Sequence, residues 1–122
     1  MNADVQLLTE GSVDSRVEIA VEIFRMLADA TRVHIVLALR DGELTVNRLA
    51  EIVDKTPASV SQHLAKLRLA RIVAARQDGT HVFYRLTNEH ASRLVADALF
   101  QAEHALTNSP AHHRTTQNRN SN

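Results

Sequence analysis

The chain has 122 residues, with 14 basic and 14 acidic side chains, and it contains neither cysteine nor tryptophan. This length suits one small domain, and the scarcity of aromatic residues leaves its core to aliphatic side chains. Without cysteine, a disulfide framework and a thiolate metal site are excluded, and a reducing cytoplasm is the expected location. No apolar run approaches the roughly 18 residues that a membrane span needs, so we expect no membrane partner.

The charges are unevenly distributed along this neutral chain. Residues 1–30 hold six acidic and two basic side chains, a balance of −4. Residues 55–86 hold six basic side chains and one acidic side chain, a balance of +5. Such a local positive field favours nucleic-acid binding, although ordinary solvated charges would give the same count.

The beginning of the chain gives a weak signal. Residues 1–12 are mixed in character, and we expect them to be a flexible N-terminus. Ser15 and Glu18 have the spacing of a capping box, which predicts a first helix over about residues 15–27.

Further helix boundaries are marked by capping residues. Asp29 is suited to cap a second helix that ends at Gly42, and Thr45 is suited to cap a third. The pair Thr56-Pro57 is a strong start signal for a fourth helix, because proline at the first helical position loses no hydrogen bond. A helix, a tight turn and a second helix are therefore predicted in succession.

Two strands and a last helix complete the pattern. Residues 72–76 and 81–86 read as strands, and Asp78-Gly79 suits the positive φ angles of a hairpin turn. Asn88 can cap a last helix that ends near Leu106.

The resulting fold class is mainly α with a small β-hairpin, in the order of four helices, two strands and one helix. This is a winged helix-turn-helix, a fold that places one helix in the DNA major groove and a β-wing beside it. We predict a DNA-binding and dimerisation domain over residues 13–106. The polar segment 107–122 is predicted to be a flexible tail that contains histidine.

The fourth helix has the composition of a DNA-reading helix. Gln62 can pair with adenine, whereas Lys66 and Arg68 are better suited to phosphate contacts. His63 suits a base edge, a phosphate or a carbonyl of its own protein. The predicted DNA contacts are Thr56, Ser59, Ser61, Gln62, His63, Lys66, Arg68, Arg76 and Thr80. The alternative is a helical hairpin that only packs, but its exposed face would then carry mostly Glu and Lys.

Three segments taken together (LADATR, SVSQHLAKLR and DGTHVFYRL) carry a specific resemblance. Over about residues 17–106 the chain resembles the ArsR/SmtB family of bacterial metal-responsive repressors. The resemblance implies a winged-helix homodimer whose interface comes from the first and last helices. It also implies binding to double-stranded operator DNA of imperfectly palindromic sequence, with release when a metal binds.

The resemblance also suggests metal ligands. The thiolate site that some members carry on the third helix is excluded, because residues 44–47 contain no cysteine. Within the family, the positions of His and Glu on the last helix and in the tail more closely resemble those of nickel and cobalt sensors of the KmtR type. This implies the candidate ligands His90, Glu103, His104, His112 and His113. Imidazole and carboxylate donors suit Ni(II) or Co(II) as effector, and Zn(II) is a further candidate.

The spacing of two of these histidines adds a geometric constraint. His90 and His104 are separated by 14 positions, about 21 Å along a helix, but by only about 40° around it. One ion could bridge them only between two antiparallel copies of the helix. Asp97 and Gln101 share this face and could be ligands or support them, whereas Glu103 lies about 140° from His90.

Other interpretations stay open at this stage. Asn88 is more simply a helix cap than a ligand, and each histidine taken alone could be an idle surface residue. The protein could also be a DNA-binding subunit of the same family that is controlled by a partner protein and does not sense metal directly. An enzyme is not expected, since no nucleophile constellation, phosphate-binding glycine loop or His-Glu-x-x-His spacing occurs.

Overall fold

The computed structural model describes residues 3–108, with side chains from Val13 onward. The elements in chain order are α1 (Ala3–Leu27), α2 (Ala30–Ala38), a 3-10 turn (Leu39–Asp41), β1 (Leu44–Thr45), α3 (Val46–Val53), α4 (Pro57–Leu69), β2 (Val73–Asp78), β3 (His81–Leu86) and α5 (His90–Asn108). Helices α3 and α4 form the helix-turn-helix, and β2 and β3 form the wing. The predicted winged helix-turn-helix is confirmed.

Three helices begin at the predicted capping residues, whose side-chain oxygens accept hydrogen bonds from backbone N–H groups one turn later. The pairs are Asp29 with Arg32 at 3.0 Å, Thr45 with Arg48 at 3.2 Å, and Thr56 with Ser59 at 3.1 Å. A fourth predicted cap, Asn88, accepts from the backbone N–H of His90 at 2.9 Å. Local sequence therefore fixes where these helices start.

The first helix differs from the prediction. It begins at Ala3 and not near Ser15, so it runs through most of the segment that was expected to be flexible. The capping-box interpretation of Ser15 and Glu18 is wrong, because inside a helix the backbone N–H groups are already bonded to the preceding turn. No proline occurs between Ala3 and Ser15 to stop the helix from extending backward.

The hairpin turn is shifted by one residue from the prediction. Asp78 pairs with His81, which leaves Gly79 and Thr80 as the two central residues of the turn. Gly79 has φ +63, a conformation that costs glycine little. The prediction of a glycine-dependent two-residue hairpin is confirmed, but its central pair is Gly79-Thr80 and not Asp78-Gly79.

A third strand was not predicted. The two residues of β1 pair antiparallel with β3, with Leu44 opposite Tyr84 and Thr45 opposite Phe83, so that the sheet order is β1-β3-β2. A strand of two residues is too short to show an alternating pattern. This strand attaches the inner edge of the wing to the start of α3.

The hydrophobic core joins helices α2, α3, α4 and α5 to the start of strand β2. Its buried apolar side chains are Ile35, Val36, Leu39, Leu49, Ala50, Val60, Leu64, Leu67, Ile72, Val73, Ala91 and Val95. Three of them lie on the inner face of α4, so this helix is held rigidly in the body of the protein. Within residues 3–108, none of the helices is long and apolar enough to cross a membrane.

Candidate DNA-binding surface and metal-ligand residues

Helix α4 presents one face to the core and the other to solvent. Val60, Leu64 and Leu67 are fully buried, which fixes the rotation of the helix about its axis. The turn before it contains Asp54 in the left-handed region, with φ 56. Asp54 ends α3 through its backbone N–H, and Thr56 then starts α4. The polar residues between the buried positions are thereby directed outward.

Most predicted DNA contacts lie on the exposed surface. On α4 and its cap these are Thr56, Ser61, Gln62, Lys66 and Arg68, and on the wing they are Arg76 and Thr80. Ser59 is partly buried, and its backbone N–H bonds to Thr56. The Thr56 hydroxyl accepts this bond and keeps its own hydrogen for an outside acceptor. Together these side chains form a polar, basic surface along the helix and the wing.

His63 differs from its neighbours, because its ring is turned toward α2. Only 20% of its side chain is exposed, and Nδ1 lies 3.1 Å from Nη1 of Arg32 and 3.7 Å from Oδ2 of Asp29. The pKa of Asp29 is lowered, mainly because its carboxylate accepts the backbone N–H of Arg32. These contacts could not be predicted from local sequence patterns, because Arg32 lies 31 positions before His63 along the chain.

Arg76 is engaged by an acidic partner. Its Nε lies 2.8 and 2.9 Å from the two carboxylate oxygens of Glu43, and Nη2 bonds to the same group. Its guanidinium carbon also lies 4.8 Å from the centre of the Phe83 ring. The hydrogen bond to Arg76 lowers the pKa of Glu43, and the same bond raises the pKa of Arg76. The positive charge expected at this point of the wing is therefore partly offset by Glu43, and also by Asp78, whose Oδ2 lies 3.7 Å from Nη1 of Arg76.

A groove beside the recognition helix contains Arg71, a basic residue that was not among the predicted DNA contacts. It has a volume of about 560 Å³ and is lined by Ser61, Ala65, Arg68, Leu69, Arg71 and Tyr84. Arg71 is exposed and lies in the left-handed region, with φ 60, where α4 ends. The only sequence signal for Arg71 was its contribution to the basic balance of residues 55–86.

The candidate metal ligands that the structure describes lie on α5. His90, Glu103 and His104 are all exposed on one uninterrupted helix. His90 and His104 are therefore about 21 Å apart within one chain, too far for a single ion. Asp97 and Gln101 are exposed as well. His112 and His113 lie outside the described residues.

Within the described part of the chain, no three His, Cys, Asp or Glu side chains are grouped closely enough to hold a metal ion. The donor chemistry on α5 nevertheless fits a transition metal of intermediate softness, because it combines imidazole and carboxylate groups without thiolate. Residues 3–108 of one subunit thus offer matching donors that are not gathered at one point.

His90 lies near the end of the recognition helix. It lines a cavity of about 140 Å³ together with Ala70, Arg71 and Thr87, between α1, α5 and the turn after α4. The Asn88 side chain caps the backbone at His90, and the preceding residue, Thr87, bonds to the carbonyl oxygens of Arg71 and Ile72. The start of α5 and the end of α4 are therefore directly connected.

Comparison with known proteins identifies the family. A model described as "Bacterial regulatory protein, arsR family" matches residues 29–75. The transcriptional regulator KmtR of Mycobacterium tuberculosis is 60% identical over 101 residues, which cover 83% of this chain and 78% of KmtR. The chain belongs to the ArsR/SmtB family. It is a DNA-binding transcriptional regulator and not an enzyme.

Two further similarities agree with this membership of the ArsR/SmtB family. The repressor SmtB of Mycobacterium tuberculosis is 37% identical over 81 residues, which cover 66% of this chain and 60% of SmtB. The homodimeric winged helix-turn-helix DNA-binding domain Mb0332 of Mycobacterium bovis superposes with a TM-score of 0.71 at 26% identity. That match covers 80% of this chain and 90% of Mb0332.

This ArsR/SmtB protein exposes apolar side chains on its first and last helices. They are Val13, Val17, Ile19, Val21 and Phe24 on α1, and Leu94, Leu99, Phe100 and Leu106 on α5. An apolar groove of about 310 Å³ runs between the two helices, with Phe24 and Leu99 in its lining. A surface of this kind indicates a protein interface.

Proposed function

We propose that this protein is a metal-responsive repressor that acts as a homodimer. Two copies would pair through α1 and α5 and hold their recognition helices about one DNA turn apart on an imperfectly palindromic operator. Ni(II) or Co(II), with Zn(II) as a further candidate, would bind the dimer and release the operator. The regulated genes would serve metal efflux or homeostasis, and the protein would act in the cytoplasm.

The placement of His90 and His104 on α5 carries this proposal. Both histidines are exposed on the same helix, near its opposite ends. With an angular offset of about 40°, they lie on nearly the same face. Two such helices packed antiparallel would bring His90 of each chain beside the other chain's His104, which gives two equivalent sites.

The remaining donors would complete these sites. Glu103 lies on another side of α5 and would contribute only if the end of the helix frays. Asp97 and Gln101 share the face of the histidines. His112 and His113 are further candidate ligands. A metal bound by this set would cross-link the two α5 helices. Because imidazole binds metal only when neutral, metal affinity should fall in acid.

The connection between α5 and α4 gives the metal a route to the DNA-binding surface. Thr87 holds the segment before α5 against the turn that ends the recognition helix, and Asn88 bonds to the first backbone N–H of α5. A change in the spacing or rigidity of the α5 pair would therefore alter the placement of the two α4 helices. Allosteric couplings are typically about 1–3 kcal/mol, which corresponds to about a 5- to 150-fold change in affinity.

A DNA titration tests this function. The full chain is titrated onto its operator alone and with Ni(II), Co(II) or Zn(II), alongside His104→Ala and the control His34→Ala, which alters an exposed histidine on α2. The metal should weaken operator binding by the wild type and the control. The His104→Ala variant should bind the operator equally well with and without metal. Equal operator affinity of the wild type in every condition would refute metal control.

The same measurements test the alternative, a family member that takes its signal from a partner protein. Intact operator binding combined with weak metal affinity in equilibrium dialysis would favour it. The visible spectrum of the Co(II) form would further distinguish four-coordinate from six-coordinate binding.

A further inference from the structure

Arg32 is a buried charged side chain, with 8% exposure, at the start of α2. Its Nε donates to the carbonyl oxygen of Met26 at 2.5 Å, which fixes the plane of the guanidinium. Its Nη1 lies 3.1 Å from Nδ1 of His63 on the recognition helix. The backbone N–H of Arg32 bonds to Asp29, which anchors the other end of the residue.

The contact with Arg32 determines where the hydrogen of a neutral His63 ring lies. A guanidinium has five N–H donors and no acceptor, so Nδ1 of His63 must accept the hydrogen bond with its lone pair. The ring hydrogen is then on Nε2. The Asp29 carboxylate is 3.7 Å from Nδ1, beyond ordinary hydrogen-bond distance, and it already accepts the backbone N–H of Arg32.

The position of His63 on α4 indicates which DNA group it reaches. Relative to the core-facing side defined by Val60, Leu64 and Leu67, Gln62 points about 170° away and His63 only about 70° away. Gln62 thus lies on the crest that faces base edges. His63 lies on the flank with Lys66, three positions later, where a side chain reaches the phosphate backbone.

We propose that Arg32 is a positioning residue for DNA binding, which holds His63 as the Nε2–H tautomer so that the ring donates a hydrogen bond to a DNA phosphate oxygen. This inference rests on the DNA-binding function of the protein and does not depend on metal sensing. His63 is then a neutral donor that adds affinity without adding charge. It differs in this way from the lysine on the same flank.

The ring state is tested by NMR on full-length protein labelled with ¹⁵N in histidine. Two-bond nitrogen–hydrogen correlations distinguish the two neutral tautomers and the imidazolium. In the wild type the His63 ring should be the Nε2–H tautomer, and in Arg32→Met both neutral tautomers should appear. A wild-type ring with hydrogen on Nδ1, alone or on both nitrogens, would overturn the proposal whether or not the variant folds.

Two substitutions of His63 test the donor itself. The amide nitrogen of His63→Gln can replace an Nε2–H group, whereas that of His63→Asn lies nearer the position of Nδ1. Affinity for two duplexes of unrelated sequence at low salt should be nearly retained by the Gln variant. It should be reduced about ten- to 150-fold in the Asn variant, as for the loss of one hydrogen bond to a charged acceptor.

The salt dependence and the two sequences separate the remaining outcomes. Loss of a neutral donor leaves the slope of log affinity against log salt unchanged, whereas loss of a charged phosphate contact lowers it by about 0.9. A lower slope in both variants would show a charged His63 and overturn the tautomer assignment. A loss of affinity for only one of the two duplexes would show that His63 reads a base. Wild-type affinity of the His63→Asn variant would show that His63 makes no contact with DNA. Either result would overturn the phosphate contact. If the wild type bound neither duplex, the DNA-binding function itself would fail, while the NMR result would still decide the tautomer.

Discussion

The hydroxyl of Thr87 donates a hydrogen bond of 2.8 Å to the carbonyl oxygen of Arg71 and approaches that of Ile72 at 3.3 Å. The backbone N–H of Thr87 also bonds to the Ile72 carbonyl at 3.1 Å. Since α4 ends at Leu69 and α5 begins at His90, one residue ties the end of the recognition helix to the start of the helix that carries the candidate metal ligands.

Replacing Thr87 by valine keeps the shape of the side chain but removes its donor. We expect the free energy of unfolding to fall by about 1 kcal/mol. We also expect a smaller decrease in operator affinity when metal binds. The control is Ser92→Ala, because the Ser92 hydroxyl donates to the carbonyl oxygen of Glu89, one turn earlier at the start of α5. Urea denaturation and DNA titration measure both effects, and equal changes in the two variants would contradict the coupling role.

The ion pair between Glu43 and Arg76 limits the positive charge of the wing. In Glu43→Gln the neutral amide no longer offsets the guanidinium, so duplex affinity should rise and the salt slope should steepen by up to about 0.9. The control Glu89→Gln makes the same charge change beside Arg93 on α5, on an exposed pair of 2.8 Å. Fluorescence anisotropy over a salt series measures the effect. An unchanged slope in Glu43→Gln would mean that Arg76 does not reach DNA.

The contacts of Arg76 and His63 could not be predicted from the sequence. The sequence predicts that Arg76 lies on the wing, but it does not predict the ion pair with Glu43, which lies 33 positions earlier. The contact between His63 and Arg32 is unpredictable for the same reason, because Arg32 lies 31 positions earlier. Capping and hairpin signals depend on neighbours within four positions, whereas these contacts exist only after the helices and the sheet have packed.

The errors at the first helix and at β1 have a different origin. Ser15 and Glu18 satisfy a local rule, but a local rule cannot exclude that the helix already extends past them to Ala3. The strand at Leu44-Thr45 is created by the edge of β3, and its own residues carry no strand pattern. By contrast, the fold class and the exposed polar face of α4 followed directly from periodicity and capping.

The carboxylate of Asp29 should contribute to stability in a pH-dependent way. Its pKa in the folded protein lies below the usual value of 3.8, chiefly because of the bond from the Arg32 backbone N–H. The contribution is therefore fully present above the unfolded-state value and is lost as the pH falls through the lower folded-state value. Asp29→Asn keeps a capping oxygen but does not titrate. The wild type should be more stable than this variant at neutral pH, and the difference in urea midpoint should shrink in acid. A difference that is independent of pH would contradict this assignment.

Two exposed residues of α4 should differ in what they contribute to DNA binding. Lys66→Ala should weaken binding about equally for all duplexes. It should also reduce the slope of log affinity against log salt by about 0.9, the value for one phosphate contact. Gln62→Ala should leave the slope unchanged and lower the discrimination against substituted operator positions, by about 1–3 kcal/mol at the base it reads. Competition titrations with a set of substituted operators measure both. A uniform loss in both variants would place Gln62 on the phosphate backbone.

Mixing two defective subunits tests whether the metal sites lie between chains. His90→Ala and His104→Ala each remove one donor from both sites of a homodimer, so each variant alone should bind metal weakly. In a mixed dimer, one site loses both histidines, but the other keeps the His90 of one chain and the His104 of its partner. Equal mixing after subunit exchange should therefore restore about a quarter of the wild-type binding capacity, because half of the dimers are mixed and each has one of two sites. A chelator-competition isotherm measures this capacity. If mixing restored nothing while both variants still dimerised, the two histidines would not share an ion across the interface.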